Sequence, residues 1–425
     1  MTPPARGALV GLVVLGVAVV ALVLLSTPWR PLAAPPGGAT RVDPARDFHA
    51  DEIAREDAFH RQIRPPAYAA MALGLAVAGL FGLTPAGARL VAAAARPFGG
   101  GWVWQVLLGS LALAVVGRAA TLPLSAYGET VLRRYGLSTQ TWASWAVDTA
   151  KGFALSTGLV ALALLGLYAL LRAAPRTWWA WAAAGAATLV VALSFVFPVL
   201  IEPVFNRFTP MPAGELRSSL LALAADDGVP VSEVLVADAS RRTTTLNAYV
   251  SGFGATRRIV VYDTLLASAS PAEVRLVVAH ELGHARERDV LRATLAGALG
   301  VAAAVCAVAV LFGSGWLLRR AGVPGLADPR SLAALLFVLS LGGLVAGPAG
   351  ALVSRRIEAR ADVHALDLTA DPATFVAMQR RLSVANLSDL DPNPVVYGLF
   401  ASHPTGPERI ALARDWARLH HAVVP

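Results

Sequence analysis

The sequence predicts a mainly α, polytopic membrane protein with seven transmembrane helices and one small α/β domain. Of its 425 residues, 56% are hydrophobic and only 15% are charged, whereas soluble domains are about 45–50% apolar and about 25% charged. Seven apolar segments reach the roughly 20 residues that a helix needs to cross a bilayer. One polar stretch, between the fifth and sixth segments, is long enough to fold as an aqueous domain of its own.

The seven predicted spans contain most of the apolar residues. The first follows Arg6 and resembles a signal peptide, but its apolar run is longer than a signal core and no small-residue cleavage site follows it. We therefore expect a retained span. The second and third are the weakest because they are rich in Ala and Gly. The predicted spans are residues 7–26, 68–88, 102–120, 153–171, 178–200, 294–318 and 332–353.

These spans divide the chain into four regions. Residues 1–200 are expected to form a five-span region with polar loops, residues 201–293 a domain in water, residues 294–353 the last two spans, and residues 354–425 a polar C-terminal segment. The single cysteine, Cys306, lies inside an apolar run. It therefore has no partner for an internal disulfide, and we interpret it as a small buried hydrophobic residue.

The net charge of +8 comes almost entirely from arginine, since Lys151 is the only lysine. Arginines that flank membrane spans explain this balance, and the lipid bilayer is the partner that the composition indicates. The chain contains no basic helix with interleaved aromatic residues, so no nucleic-acid partner is expected. It also contains neither a Walker loop nor a Gly-x-Gly-x-x-Gly motif after a strand, so no nucleotide partner is expected.

The polar stretch between the fifth and sixth spans has the pattern of a mixed α/β fold. Residues 213–227 are predicted to form a helix, and residues 233–237 a short β-branched strand. Two further strands, 243–250 and 258–263, are joined around a pair of glycines. Next, Ser270-Pro271-Ala272-Glu273 combines a capping box with a proline at the first helical position, which predicts a helix start.

The helix that follows carries His280-Glu281-Leu282-Gly283-His284, the strongest motif in the chain. Residues four apart share one helical face, so both imidazoles point in the same direction. Glu281 lies next to the first histidine, where it can act on a water molecule beside a shared metal ion. This HExxH arrangement is typical of zinc peptidases, in which the two histidines are ligands and the glutamate is the general base.

A catalytic zinc site needs a third protein ligand and one open position. We predict Glu358, in the polar sequence after the seventh span, as that ligand. Asp362 lies four residues later on the same helical face, and we predict that it orients a ligand histidine. Two spans separate the HExxH motif from Glu358, so both emerge on one side of the membrane. We therefore expect one zinc ion per chain, held by His280, His284 and Glu358.

Beyond these ligands, the chain resembles the type I CAAX prenyl protease family, the membrane zinc peptidases that process prenylated a-factor in yeast. That family has seven spans, and the similarity covers most of the chain except residues 1–65. The segments that carry the resemblance are Leu122-Pro123 with Tyr127, Gln140-Thr141, Asp148 and Lys151, Pro198 with Ile201-Glu202-Pro203, Phe205-Asn206 and Phe208, Asn247-Ala248-Tyr249, Arg258-Ile259-Val260, Asp263-Thr264-Leu265, and Ser402-His403-Pro404 with Glu408-Arg409.

The resemblance implies further roles. Asn247, Ala248 and Tyr249 would lie on an edge strand that hydrogen-bonds an extended substrate, and His403 would donate a hydrogen bond to the oxyanion of the tetrahedral intermediate. The arginines are too evenly distributed for the positive-inside rule to decide the orientation. The resemblance alone places the catalytic domain in the cytoplasm. The Ala- and Arg-rich composition is typical of a bacterial protein, so we expect a bacterial inner or cell membrane.

We therefore predict a zinc-dependent membrane endopeptidase, with a zincin-like domain, that cleaves extended peptides or flexible termini of membrane-associated proteins, prenylated CAAX-type termini included. Three alternatives stay open. An intramembrane site-2-type protease would take an aspartate such as Asp367 or Asp391 as third ligand. A general quality-control metalloprotease would share the motif but have fewer spans. A zinc-dependent receptor or scaffold would have no use for Glu281.

Overall fold

Long helices and one small sheet make up the fold. The structure, a computed structural model, describes residues 3–252, 254 and 257–425. Its helices, in chain order, are α1 (Pro3–Ser26), α2 (Pro44–Asp47), α3 (Ala50–Gly82), α4 (Pro85–Ala95), α5 (Trp102–Arg134), α6 (Trp142–Ala173), α7 (Trp178–Val196), α8 (Glu202–Phe205), α9 (Glu215–Asp226), α10 (Asp263–Ser268), α11 (Pro271–Arg286), α12 (Asp289–Gly313), α13 (Trp316–Ala321), α14 (Leu332–Thr369), α15 (Pro372–Ala385), α16 (Pro394–Phe400) and α17 (Gly406–Leu419). Its strands are β1 (Phe208–Pro210), β2 (Glu233–Ala237), β3 (Ala248–Ser251) and β4 (Arg258–Tyr262).

Within the described residues, seven helices are long and apolar enough to cross a membrane, which confirms the predicted number of spans. They are α1, α3, α5, α6, α7 with the helical turns that continue it to Phe205, α12 and α14. Several extend beyond the predicted apolar segments: α3 begins at Ala50 and α14 continues to Thr369. One continuous helix therefore carries both the seventh span and Glu358, which ties the position of that carboxylate to the membrane region.

The predicted second span, 68–88, is wrong at its C-terminal end. Helix α3 ends at Gly82, and α4 begins at Pro85. The Thr84 hydroxyl between them accepts a hydrogen bond from the Ala86 backbone N–H at 3.3 Å. An N-cap threonine followed by proline at the first helical position starts a new helix. This local signal outweighs the apolar composition that runs across the break.

The polar domain contains a four-stranded sheet in the order β1–β2–β4–β3. Strands β2 and β4 are parallel, and β3 is antiparallel to β4. The predicted strand 233–237 is confirmed, and 258–263 is a strand as far as Tyr262. The predicted strand 243–250 is a strand only from Ala248, and β1 has no counterpart in the sequence prediction. The turn from β3 to β4 includes positions outside the described residues, namely 253, 255 and 256. Strand β3 comes last in the strand order, so it is an edge of the described sheet.

Helix α11 lies in the core of this domain. Its apolar side chains pack with residues of α9, the sheet, α15 and α17 in one continuous cluster, of which Leu220, Val278, Leu282 and Phe375 are fully buried. Burying a side chain of this size stabilises the fold by about 1.5–3 kcal/mol. The helix is thus held from several sides, which fixes the direction of its polar residues.

The loops follow the alternation that seven spans require. The polar segments after α1 and after α5 both contact the domain: the Thr40 backbone N–H donates to Asp415 at 2.9 Å, and Ser138 forms a β-bridge with Thr243. On the opposite side, Pro85 at the start of α4 packs against Gly322 after α13. The first and third polar loops therefore lie on the side of the sheet, as the span count predicts.

Candidate metal centre

The HExxH residues lie on a helix whose start is set by its own sequence. The Ser270 hydroxyl accepts from the Glu273 backbone N–H, and the Glu273 carboxylate accepts from the Ser270 N–H at 2.8 Å. This reciprocal pair satisfies two otherwise unpaired donors at the helix start. Two turns later, the Nε2 atoms of His280 and His284 lie 3.2 Å apart. The i, i+4 spacing therefore brings the two imidazoles together as predicted from the sequence.

Glu358 reaches the same point from α14. Its Oε2 lies 3.2 Å from His280 Nε2, and its Oε1 lies 3.6 Å from His284 Nε2. Among the described residues, these three form a group whose ligand atoms are within metal-binding distance of one another. Tetrahedral zinc with ligand bonds of about 2.0–2.1 Å separates its ligand atoms by roughly 3.3 Å. The spacing and the chemistry of the three donors therefore fit one metal ion.

Each histidine is oriented by a carboxylate on its other ring nitrogen. His280 Nδ1 lies 2.9 Å from Asp362 Oδ1, and His284 Nδ1 lies 2.9 Å from Asp289 Oδ2. Such pairs fix the tautomer so that Nε2 presents a lone pair to a metal. Burial by itself would lower the pKa of His280, but hydrogen bonds with Asp362 and Glu358 raise it to about 10. The negative potential that favours an imidazolium also favours a bound cation.

An arginine stands behind each of these carboxylates. Arg409 on α17 donates to Asp362, with Nε 2.8 Å from Oδ2, and Arg360 on α14 pairs with Asp289. Asp362 is fully buried, so an unpaired charge there would be costly. Asp362 thus contacts both the first motif histidine and Arg409, and its orienting role stays a prediction. The sequence reasoning did not identify Asp289, because no motif distinguishes it from any acidic residue in the first turn of a helix.

Replacing Asp289 by asparagine should weaken metal binding by about 10–100-fold, the usual effect of removing a carboxylate behind a ligand histidine. The amide keeps the size of the side chain but loses the charge that His284 and Arg360 contact. Competition with a zinc chelator on the purified protein measures the change. Asp226→Asn, at an exposed position in α9, serves as the control. An unchanged affinity in the Asp289 variant would contradict this role.

The candidate ligand cluster of His280, His284 and Glu358 opens into a large cavity. Its volume is about 1980 Å³, well above the roughly 300–1,000 Å³ of an ordinary small-molecule pocket. Glu281 faces this space, and burial raises its pKa against the opposing effect of the two neighbouring histidines. His403 also lines it, with Nε2 3.4 Å from Glu358 Oε1. The motif glutamate and the C-terminal histidine therefore line the same cavity as the ligand cluster.

The edge strand β3 borders the same cavity. Asn247 is exposed, and Asn247, Ala248 and Tyr249 all line the cavity. The Asn247 carbonyl accepts from the Tyr262 N–H at 3.1 Å, which extends the pairing with β4 by one residue. The preceding Leu246 is held at both backbone groups by Asn386, which accepts from its N–H at 2.8 Å and donates to its C=O at 3.2 Å. This strand is therefore fixed on one side and open on the cavity side.

Two family models together match most of the chain. The model for peptidase family M48 matches residues 210–417, which include the HExxH helix, Glu358 and His403. The model described as the CAAX prenyl protease N-terminal region with five membrane helices matches residues 69–207. The two matches divide the chain close to the point where the fifth span ends.

Two relatives and a solved structure agree. The chain is 35% identical over 302 residues to an uncharacterized metalloprotease, YhfN, of Bacillus subtilis, covering 70% of each chain. It is 31% identical over 298 residues to a CAAX prenyl protease 1 homolog of Arabidopsis thaliana, covering 68% of each. The crystal structure of S. mikatae Ste24p shares its fold, with a TM-score of 0.77 at 20% identity over 97% of this chain and 99% of that one. The chain therefore belongs to the type I CAAX prenyl protease family within peptidase family M48, and it is an integral membrane metalloendopeptidase.

Proposed function

We propose that this protein is a zinc endopeptidase that cleaves extended peptides or flexible termini of membrane-associated proteins. One observation carries the proposal: an open edge strand and the ligand cluster line a single cavity that also reaches residues of the membrane helices. A folded domain is too large for a space of about 1980 Å³, whereas an extended segment fits it. The catalytic chemistry and the shape of the substrate are thus linked by one cavity.

The ligand set supports zinc as the metal, with one ion at this centre. Two imidazole nitrogens and one carboxylate oxygen are a donor set that catalytic zinc sites use, and three protein ligands leave a fourth position open. His280, His284 and Glu358 are these ligands in the proposal, and Asp362 and Asp289 orient the histidines. When bound, zinc polarises the scissile carbonyl and makes a nearby water more acidic.

Glu281 is the general base in this proposal. Its carboxylate takes a proton from the attacking water and returns it to the leaving amine, which is the usual role of a residue beside the first ligand histidine. Desolvation in the cavity lowers the pKa of His403 against the opposing effect of Glu358, which favours the neutral ring. The Ser402 hydroxyl lies 2.9 Å from His403 Nδ1. If that hydroxyl donates, the ring proton stays on Nε2, which can then donate to the developing oxyanion.

The backbone of β3 binds the substrate by strand addition. An extended peptide laid along Ala248 and Tyr249 would receive and give main-chain hydrogen bonds, with Asn247 holding a substrate carbonyl. This mode recognises backbone more than side chains, so it admits many sequences. It requires that the segment be unfolded before it enters.

Extended peptides should be cleaved and compact proteins should not. A farnesylated C-terminal peptide should be accepted at least as well as its unlipidated form, because part of the cavity is lined by Val19, Val23 and Val353 of the membrane helices, and burying the lipid gains about 0.8 kcal/mol per CH₂. The assay uses quenched peptides in detergent or liposomes, with the Glu281→Gln protein as control. Efficient digestion of native serum albumin, with no preference for peptides, would show that the site is not restricted to extended segments.

We also propose that the catalytic domain faces the cytoplasm of a bacterial cell. Cysteines introduced at Phe98 and Val423 should then label from opposite sides, because these exposed residues lie on opposite sides of the span region. In a Cys306→Ser background, a membrane-impermeant maleimide should label Phe98→Cys in intact cells and Val423→Cys only after permeabilisation. Labelling of Val423→Cys alone in intact cells would reverse the orientation. Labelling of both from outside would contradict the seven-span topology.

A further inference from the structure

We propose that Glu56, His60 and Asp389 form a second metal site that binds a divalent transition-metal ion. One oxygen of each carboxylate and one ring nitrogen of His60 lie within 4.8 Å of one another. The three candidate ligands of the catalytic centre lie within the same distance of one another, and the two groups share no residue. A mixed set of one imidazole and two carboxylates favours Zn²⁺ or Mn²⁺ over Mg²⁺ or Ca²⁺.

The sequence places two of these groups on one helical face. Glu56 and His60 are four residues apart on α3, so their side chains point the same way, with His60 Nε2 3.1 Å from Glu56 Oε1. Asp389 comes from the segment after α15. That segment wraps around the helix: the Leu387 carbonyl lies 3.0 Å from His60 Nε2, and the Leu390 backbone hydrogen-bonds the Glu56 carboxyl. The three side chains thus converge from two elements that are far apart in the chain.

Burial and unmet hydrogen-bonding capacity point to a missing ligand. Glu56 is only 3% exposed, and its Oε1 has no hydrogen-bond partner despite its closeness to the histidine. His60 Nδ1 is likewise buried without a partner. Buried polar atoms of folded proteins are almost always satisfied, and each exception needs an explanation. A bound cation would satisfy the carboxylate oxygen and take the lone pair of His60 Nδ1, since the Leu387 carbonyl accepts the proton on Nε2.

The charge of the cluster supports the same conclusion. Arg64, one turn further along α3, pairs with Asp389 and neutralises one of the two carboxylates. Ionising the second, Glu56, inside the protein without a matching cation is strongly unfavourable. A divalent ion would offset it. Arg64 and Asp389 both line the large cavity, so an ion can reach the cluster from there.

A metal ion at this site would hold α3 and the segment after α15 together. The same segment begins at Asn386, which holds both backbone groups of Leu246 immediately before the edge strand. A metal ion at Asp389 would therefore restrain the residue that positions Leu246. This consequence, unlike the metal site itself, rests on the proposed role of the edge strand in substrate binding.

The decisive measurement is metal stoichiometry on the full-length His284→Ala protein, in which the catalytic centre has lost a ligand. After incubation with Zn²⁺ or Mn²⁺ and gel filtration, elemental analysis should find about one equivalent per chain still bound. Adding His60→Gln or Asp389→Asn in that background should remove it. The glutamine and asparagine keep the size of the side chains, so a monodisperse elution profile reports that the fold is intact.

Two results would overturn the proposal. One is the absence of bound metal in the His284→Ala protein, which would mean that Glu56 and His60 share a proton instead. The other is an equivalent that persists after His60→Gln and Asp389→Asn, which would mean adventitious binding elsewhere. In the wild-type chain, the metal should also slow amide hydrogen exchange at residues 386–390, and His60→Gln should cancel that protection. Unchanged exchange on metal addition would contradict the proposed restraint of residues 386–390.

Discussion

Glu281→Gln should lower the rate of peptide hydrolysis by about 10²–10⁴-fold, the range for loss of a general base, while the metal stays bound. The amide has the size and shape of the carboxylate but cannot accept a proton from water. Glu281 faces the cavity beside His280 and is not among the three grouped ligand residues. The substitution therefore separates catalysis from metal binding. Hydrolysis of a quenched peptide and elemental analysis of the same preparation give both readouts.

The pH dependence provides a second test of the same residue. A base must be ionised to act, and burial raises the pKa of Glu281. Activity should therefore fall as the pH drops through that raised value, at a higher pH than for an exposed glutamate. A bound divalent cation favours the carboxylate and moves this limb back toward acid. Substantial residual activity of the Glu281→Gln protein, with the same acid limb as the wild type, would show that another group is the base.

Local signals in the sequence were sufficient for the helix that carries the motif. The capping box at Ser270 and the i, i+4 spacing of the two histidines are each contained within a few residues, and the structure shows both. The approach of Glu358 could also be predicted, but by a different argument. Two spans between the motif and this residue return the chain to the same side, and α14 carries Glu358 straight out of the seventh span.

Contacts between distant residues could not be predicted in this way. Asp289 is in the first turn of α12, and it faces His284 only because the chain turns at Arg288, a non-glycine residue with a positive φ of 56°. Gly283 inside the motif is a similar case. An added Cβ there would lie 2.9 Å from the ring of His364 on α14, closer than atoms can approach. The need for glycine depends on a neighbour 81 residues away, as the difference 364 − 283 gives.

The remaining errors have two causes: a local helix break inside apolar sequence, and a strand too short to give a pattern. The predicted second span runs through Thr84 and Pro85 because the residues around them are apolar, yet this pair ends one helix and starts another. Strand β1 is only three residues long, too short to show the alternation that identifies a strand. Its pairing with β2, which places Thr209 opposite Val236, depends on the rest of the sheet.

His284→Ala should remove one metal equivalent relative to the wild-type chain and reduce peptide hydrolysis to the level of the Glu281→Gln protein. The loss follows from the geometry, since His284 Nε2 lies 3.2 Å from His280 Nε2 and no other described histidine fills that position. Glu358→Gln should behave in the same way, because the neutral amide is a weak ligand and its carboxylate is shared with both histidines. Elemental analysis after gel filtration counts the metal.

His421→Ala is the matched control for that measurement, because this histidine is exposed near the C-terminus and lies outside the ligand cluster. It should keep the metal content and the activity of the wild type. The comparison distinguishes a specific ligand from the general loss of an imidazole. If His284→Ala retains as many equivalents as both the wild type and His421→Ala, the metal is held elsewhere. The two facing histidines of the HExxH helix would then have a packing role only, and the proposed mechanism would be wrong.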